Sequence, residues 1–131
     1  MASPSIVNML LAHFRKATNA PDQRIYEVLK EWTLVPYVYR GRICGVAMMS
    51  GTEVHFVMKP ECRIWAFRRQ AARAFIAKLA NGRPYLTTRA LVSAVEDLRF
   101  LTRFGFVETH RDERVVYLIL NGMPFERAHH E

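Results

Sequence analysis

At Leu34 the spacing of apolar residues along the chain changes from a helical repeat to a strand repeat, and this restricts the fold more than any other feature. Before it, Ile6, Met9, Leu10 and Phe14 recur three to four residues apart, and Ile25, Val28, Leu29 and Trp32 fall at i, i+3, i+4 and i+7. Each stripe can bury one face of a helix. Ser3 caps the first helix, with Pro4 at its first position, where a missing N–H costs nothing. A turn through Asn19 and Ala20 leads to the second, opened by Pro21 and Asp22. After Leu34, Val35 to Tyr39, Ile43 to Met49 and Thr52 to Met58 are β-rich runs separated by Arg40-Gly41-Arg42 and Ser50-Gly51. Short glycine-bearing gaps of this kind make antiparallel hairpins.

Pro60 ends that segment. Trp65, Ala72, Phe75, Ile76 and Leu79 then trace one side of a third helix closed by Asn81 and Gly82, with Arg68, Arg69, Arg73 and Lys78 on its remaining surface. Tyr85 to Ala90 reads as a buried strand and Val95 to Phe104 as a fourth helix with Leu98 and Leu101 inward. Phe106 to Thr109 and Val115 to Leu120 read as a final hairpin across His110 to Arg114. A helix between the third and fourth strands lets them run parallel, whereas the flanking hairpins are antiparallel, so the sheet is mixed. The expectation is one α/β domain over residues 1–121 and a polar tail over 122–131, a length that supports a single core.

Several function classes fall away. No window approaches the roughly 20 apolar residues of a membrane span, so no membrane partner is expected. Met1 to Phe14 lacks the positive opening and the cleavage site of a signal peptide, so it reads as a mature helix made and kept in the cytoplasm. Cys44 and Cys62 are too far apart and too few for a disulfide framework or a zinc site, and His129 and His130 have no third ligand at useful spacing, so no metal is expected. Ser93 has no histidine near it in sequence.

Charge is more informative. Nineteen Lys and Arg stand against twelve Asp and Glu, and the excess lies between residues 63 and 114, where eleven basic residues, ten of them arginine, face five acidic ones. Arginine suits planar, bidentate contact with phosphate or carboxylate. Arg68, Arg69 and Arg73 are therefore expected to meet an acidic protein surface, or, with Arg63, the phosphates of DNA, the alternative being a solvated face that keeps the chain soluble.

Strand, helix, strand, then a helix ending in Phe104-Gly105-Phe106 before a terminal hairpin resembles the second half of the GNAT N-acetyltransferases, over roughly Val35 to Leu120. The usual N-terminal strand of that fold is not visible. Leu98-Arg99-Phe100-Leu101 before Gly105, preceded by an aromatic-basic helix opening at Trp65, is similar to the small GNAT-like internal virion proteins of short-tailed bacteriophages.

The resemblance implies a pyrophosphate loop of pattern Arg/Gln-x-x-Gly-x-Gly/Ala at the start of the third helix, where backbone N–H groups bind the anion. The run here is Arg63-Ile64-Trp65-Ala66-Phe67-Arg68: Arg63 fits, Ala66 replaces a glycine, and Arg68 stands where a small residue is needed. The family's cofactor-contacting asparagine and its proton-donating tyrosine fall near Ala94 and Leu101, neither of which can do that work. Glu53 and His55 alternate on one strand and share a face in the region where the family's general base often lies. Taken together, the reading is a non-catalytic GNAT-like interaction protein without cofactor, a minor virion or head-assembly component found in host cytoplasm and virion. Its partners would be other virion proteins or packaged DNA. The alternatives are an acetyl-CoA-dependent N-acetyltransferase with Glu53 or His55 as base, and a basic nucleic-acid-binding module.

Overall fold

A computed structural model describes residues 4–59 and 69–121. Helices α1 (Pro4–Thr18) and α2 (Asp22–Leu29) precede strands β1 (Thr33–Tyr39), β2 (Arg42–Ser50) and β3 (Glu53–Met58). Helix α3 (Arg69–Ala80), strand β4 (Tyr85–Leu91), helix α4 (Val95–Phe104) and strands β5 (Val107–Arg111) and β6 (Val115–Asn121) follow. The strands form one sheet in the order β1-β2-β3-β4-β6-β5. All neighbours are antiparallel except β3 and β4. The mixed α/β architecture expected from the change of period is present.

Helices cover both faces of the first half-sheet, which explains why Cys44 to Met49 is buried without alternation. On one face Val46, Met48 and Val57 pack with Ile6, Leu10, Leu11, Ile25 and Leu29 of α1 and α2. On the other, Ala47, Met49 and Val54 pack with Phe75, Ile76 and Leu79 of α3 and with Phe100, Leu101 and Phe104 of α4. The α1–α2 connection is clamped by Arg15 and Asp22, whose Nε and Oδ1 lie 2.8 Å apart. Arg40 and Gly41 turn β1 into β2 with φ of 53° and 77°, the two positive values that a tight primed hairpin requires. Gly105 closes α4 at φ 106°, and the Phe106 N–H returns to the Leu101 carbonyl at 3.1 Å.

Some expectations change. Helix α2 buries Ile25 and Leu29 and leaves Val28 40% exposed, and Leu11 joins the core. Trp32 lies past the helix, half-buried against the sheet. Strand β4 is not a buried strand: Leu86 and Thr88 point inward while Tyr85, Arg89 and Leu91 are exposed, since no described helix covers that face. His110 and Arg111 belong to β5, and the turn shrinks to Asp112–Arg114, where the Asp112 carboxylate accepts the Arg114 and Val115 N–H groups. Those two bonds hold the Asp112 carboxyl below the usual carboxylate range. Cys44 is buried in β2, whereas Ser3, Pro60, Cys62, Trp65, His129 and His130 lie outside the described residues.

Candidate active site at the opening between β3 and β4

The two half-sheets join at a single point. Strands β3 and β4 share one register pair, Glu53 with Thr87, fixed by the Thr87 N–H donating to the Thr52 carbonyl at 2.8 Å. The Thr52 and Thr87 hydroxyls, 3.3 Å apart, seal the same spot. Beyond it the strands part, each held by its other neighbour: β3 by β2 through six pairs, and β4 by β6 through seven.

The ladder dictates which peptide groups face the gap. Lys59 donates to Cys44 of β2, so odd-numbered residues of β3 bond toward β2 and even-numbered ones face β4. Phe56 and Met58 therefore turn their N–H and C=O groups into the opening. On β4, Thr87 bonds toward β3, so Arg89 turns both of its groups the same way and Leu91 its N–H, while the Leu91 carbonyl accepts the Ala94 N–H at 2.9 Å. No pairing among the described residues uses the groups of Phe56, Met58 and Arg89 or the Leu91 N–H. Rings floor the opening on its helix side, where Phe56 packs with Phe104 at 5.2 Å, Phe100 at 5.8 Å, Phe106 at 6.3 Å and Phe75 at 6.5 Å.

Polar side chains gather on the opposite face, at the point where the strands part. His55 Nε2 lies 2.5 Å from Glu53 Oε2, and Arg89 Nε lies 3.6 Å from that same oxygen. His55 and Arg89 each stand two residues beyond the bridging pair, one on each strand, so they flank the gap at one level. With Nε2–H donating to Glu53, the tautomer leaves the Nδ1 lone pair free to accept a proton. Nδ1 makes no hydrogen bond to a described residue. The Trp32 ring meets the imidazole edge-on at 5.4 Å and limits its rotation.

Glu53 and His55 are thus brought together as their spacing implied. Arg63, Ala66 and Arg68 lie outside the described residues, Arg69 is the first residue of α3, and Arg73 is half-buried where an exposed position was expected. Ala94 caps α4 without a side-chain hydrogen bond, and Leu101 is buried, so neither offers a proton. Sequence reasoning passes over Arg89 because Tyr85 to Ala90 reads as a buried strand; a charged residue inside that run is the signal that could have found it. A groove of about 710 Å³ under α1 and α2 along β1 is lined by Ile6, Tyr26, Leu29, Leu34 and Val38 with Lys30 as its charged residue. It has shape without the titratable cluster. Among the described residues no His, Cys, Asp and Glu group could hold a metal, and no helix is long and apolar enough to cross a membrane.

No family model and no curated protein matches the chain. Solved structures do. Ard1 from Thermoplasma volcanium superposes with a TM-score of 0.62 at 17% identity, over 90% of this chain and 92% of that one. A Bacillus subtilis acetyltransferase in complex with CoA gives 0.60 at 14% identity, over 92% and 93%. Mutant forms of the spermidine/spermine N-acetyltransferase SpeG from Vibrio cholerae give 0.68 at 9% identity, over 99% and 95%. The fold is the GNAT fold. These neighbours overturn the expectation of a non-catalytic virion or head-assembly component: the second and third are described as acetyltransferases, and none of the three as a phage protein. That expectation gave too much weight to the side chains of Ala94 and Leu101, although the edges of the opening are backbone groups that residues of any type supply.

Proposed function

We propose that the chain is an acyl-CoA-dependent N-acetyltransferase in which His55, oriented by Glu53, is the general base. The observation that carries this reading is the coincidence of an unpaired parallel opening with the Glu53–His55 pair at its apex. The residues present fit acetyl-CoA: the peptide groups of Phe56, Met58 and Arg89 and the Leu91 N–H, unpaired among the described residues, would bond the amides of its arm and add it as a short extra strand.

Acetyl-CoA, when bound, supplies an activated acyl group. His55 Nδ1 takes a proton from the acceptor amine, whose nitrogen bonds to the acyl carbon as the carbon–sulfur bond breaks. Glu53 keeps the imidazole in the accepting tautomer and stabilises the cation that forms. Leu101 provides no acid, but a thiol of pKa about 8.5 leaves readily as thiolate and takes its proton from solvent. Loss of the tyrosine therefore removes assistance rather than the reaction.

The test is acetyl transfer from acetyl-CoA to a panel of primary amines. Release of free CoA thiol that depends on the amine is expected, and His55→Ala should lower kcat by about a hundredfold or more while leaving acetyl-CoA affinity unchanged. Wild-type protein that neither binds acetyl-CoA nor releases thiol with any amine would end the proposal.

A further inference from the structure

The polar row at the opening continues across the sheet. On the face that carries Glu53 and His55, Arg89 stands in register with Tyr117 of β6, and Tyr117 with His110 of β5. The Tyr117 and His110 rings stack on each other at 4.4 Å and 9°, so the aromatic pair forms a floor beside Arg89 and leaves the guanidinium unengaged. Arg89 turns the other way, toward the Glu53 oxygen that also holds His55. Its side chain is 57% exposed, and its terminal nitrogens make no hydrogen bond to a described residue. A guanidinium held at Nε with its outer edge open is a fork suited to a carboxylate or phosphate.

We infer that Arg89 selects the acetyl acceptor: it binds a carboxylate or phosphate carried by the same molecule whose amine faces His55. The inference rests on the transferase reading for the amine, but not for the anion. Charge in the cluster supports it. Glu53 is one carboxylate shared by two basic groups, and once His55 has taken the proton the cluster holds two positive charges against one negative. An anion at Arg89 compensates the charge that develops, whereas a polyamine brings further positive charge with no second carboxylate in the cluster to receive it. The chain's formal charge of +7 acts in the same direction on approach.

Matched acceptors test this. With acetyl-CoA, wild-type protein should use phenylalanine over phenylalaninamide, or O-phosphoethanolamine over ethanolamine, by about tenfold to a hundredfold in kcat/KM, the size of one charge-assisted pair. The pair that shows the preference identifies the anion as carboxylate or phosphate. Arg89→Gln should abolish the preference through the acceptor KM, leaving the acetyl-CoA KM and the circular dichroism spectrum unchanged, and Arg89→Lys should restore part of it. Titration calorimetry with N-acetylphenylalanine and N-acetylphenylalaninamide, and with the acetylated phosphoethanolamine pair, reads the same site without turnover. Arg89-dependent binding of the anionic members in the absence of any transfer would uphold the anion site and refute the transferase. Equal use and equal binding of anionic and neutral members, or a preference that survives Arg89→Gln, overturns the inference, and transfer to amines without that preference would leave the transferase standing alone.

Discussion

At the scale of single residues, burial and stacking set Tyr37 apart. It is 2% exposed, and its ring stacks on Phe75 at 4.5 Å. Burial first, then the negative charge of Cys44 and Tyr39 when ionised, pushes its hydroxyl up to about 12. A folded value above the unfolded value of about 10 means that the folded state keeps its proton longer, so this stabilisation is complete below about pH 10 and is lost as the pH rises toward 12. Urea unfolding between about pH 9 and 11.5 should show wild-type stability falling relative to Tyr37→Phe, which has no proton to lose; parallel curves would exclude the linkage. None of this was legible in the sequence, where Tyr37 is one member of a β-rich run. Glu53 and His55 were legible, because residues two apart on a strand share a face whatever the rest of the chain does. Arg89 was not, because its meeting with Glu53 requires two strands 30-odd residues apart to run parallel and in one register.

At the scale of elements, signals at both ends made the helices readable: Pro21 and Asp22 open α2, and Gly105 closes α4. Strand faces were harder, since Tyr85 to Ala90 has the composition of a buried strand and only the placement of the helices decides that one side stays open. The β2–β3 contact is tighter than its composition implies. Gly45 stands opposite Met58 in a pair without mutual hydrogen bonds, the closer of the two antiparallel spacings. A Cβ at Gly45 would come within 2.4 Å of Met58 Sδ and 2.6 Å of the Val57 carbonyl oxygen. The thioether can swing away, but the carbonyl belongs to a strand fixed to β2. Gly45→Ala should therefore lower stability by about 1–3 kcal/mol in urea unfolding, an overpacking cost. Gly41→Ala is the control: with nothing within 4 Å of the added carbon and φ at 77°, its cost is conformational alone, about 1 kcal/mol. An unchanged midpoint for Gly45→Ala would mean that β3 slides freely at that point and does not form a fixed wall of the opening.

At the scale of the whole molecule, the fold is two half-sheets that meet at one residue pair, and that division makes a prediction about ligand binding that no side chain enters. The amides of Phe56, Arg89 and Leu91 face the gap and have no strand partner among the described residues, whereas the adjacent Val57 and Ala90 amides bond within their own half-sheets. In the free protein the first three should exchange with solvent deuterium much faster than the other two, since exchange follows local protection. A ligand arm in the gap would bond to both edges at once and join the halves. Acetyl-CoA should therefore slow exchange at Phe56, Arg89 and Leu91 with little change at Val57 and Ala90, read amide by amide by NMR. Stability must rise with it: at a hundredfold excess over Kd, linkage adds about 2.7 kcal/mol to the folded state. For a domain between the sizes at which 1 kcal/mol corresponds to roughly 2–4 °C and 4–8 °C, this is an increase in Tm of about 10 °C. Protection spread evenly over the sheet would indicate general tightening with the arm bound elsewhere, and a Tm that stays constant at saturating acetyl-CoA would exclude the opening as a binding site.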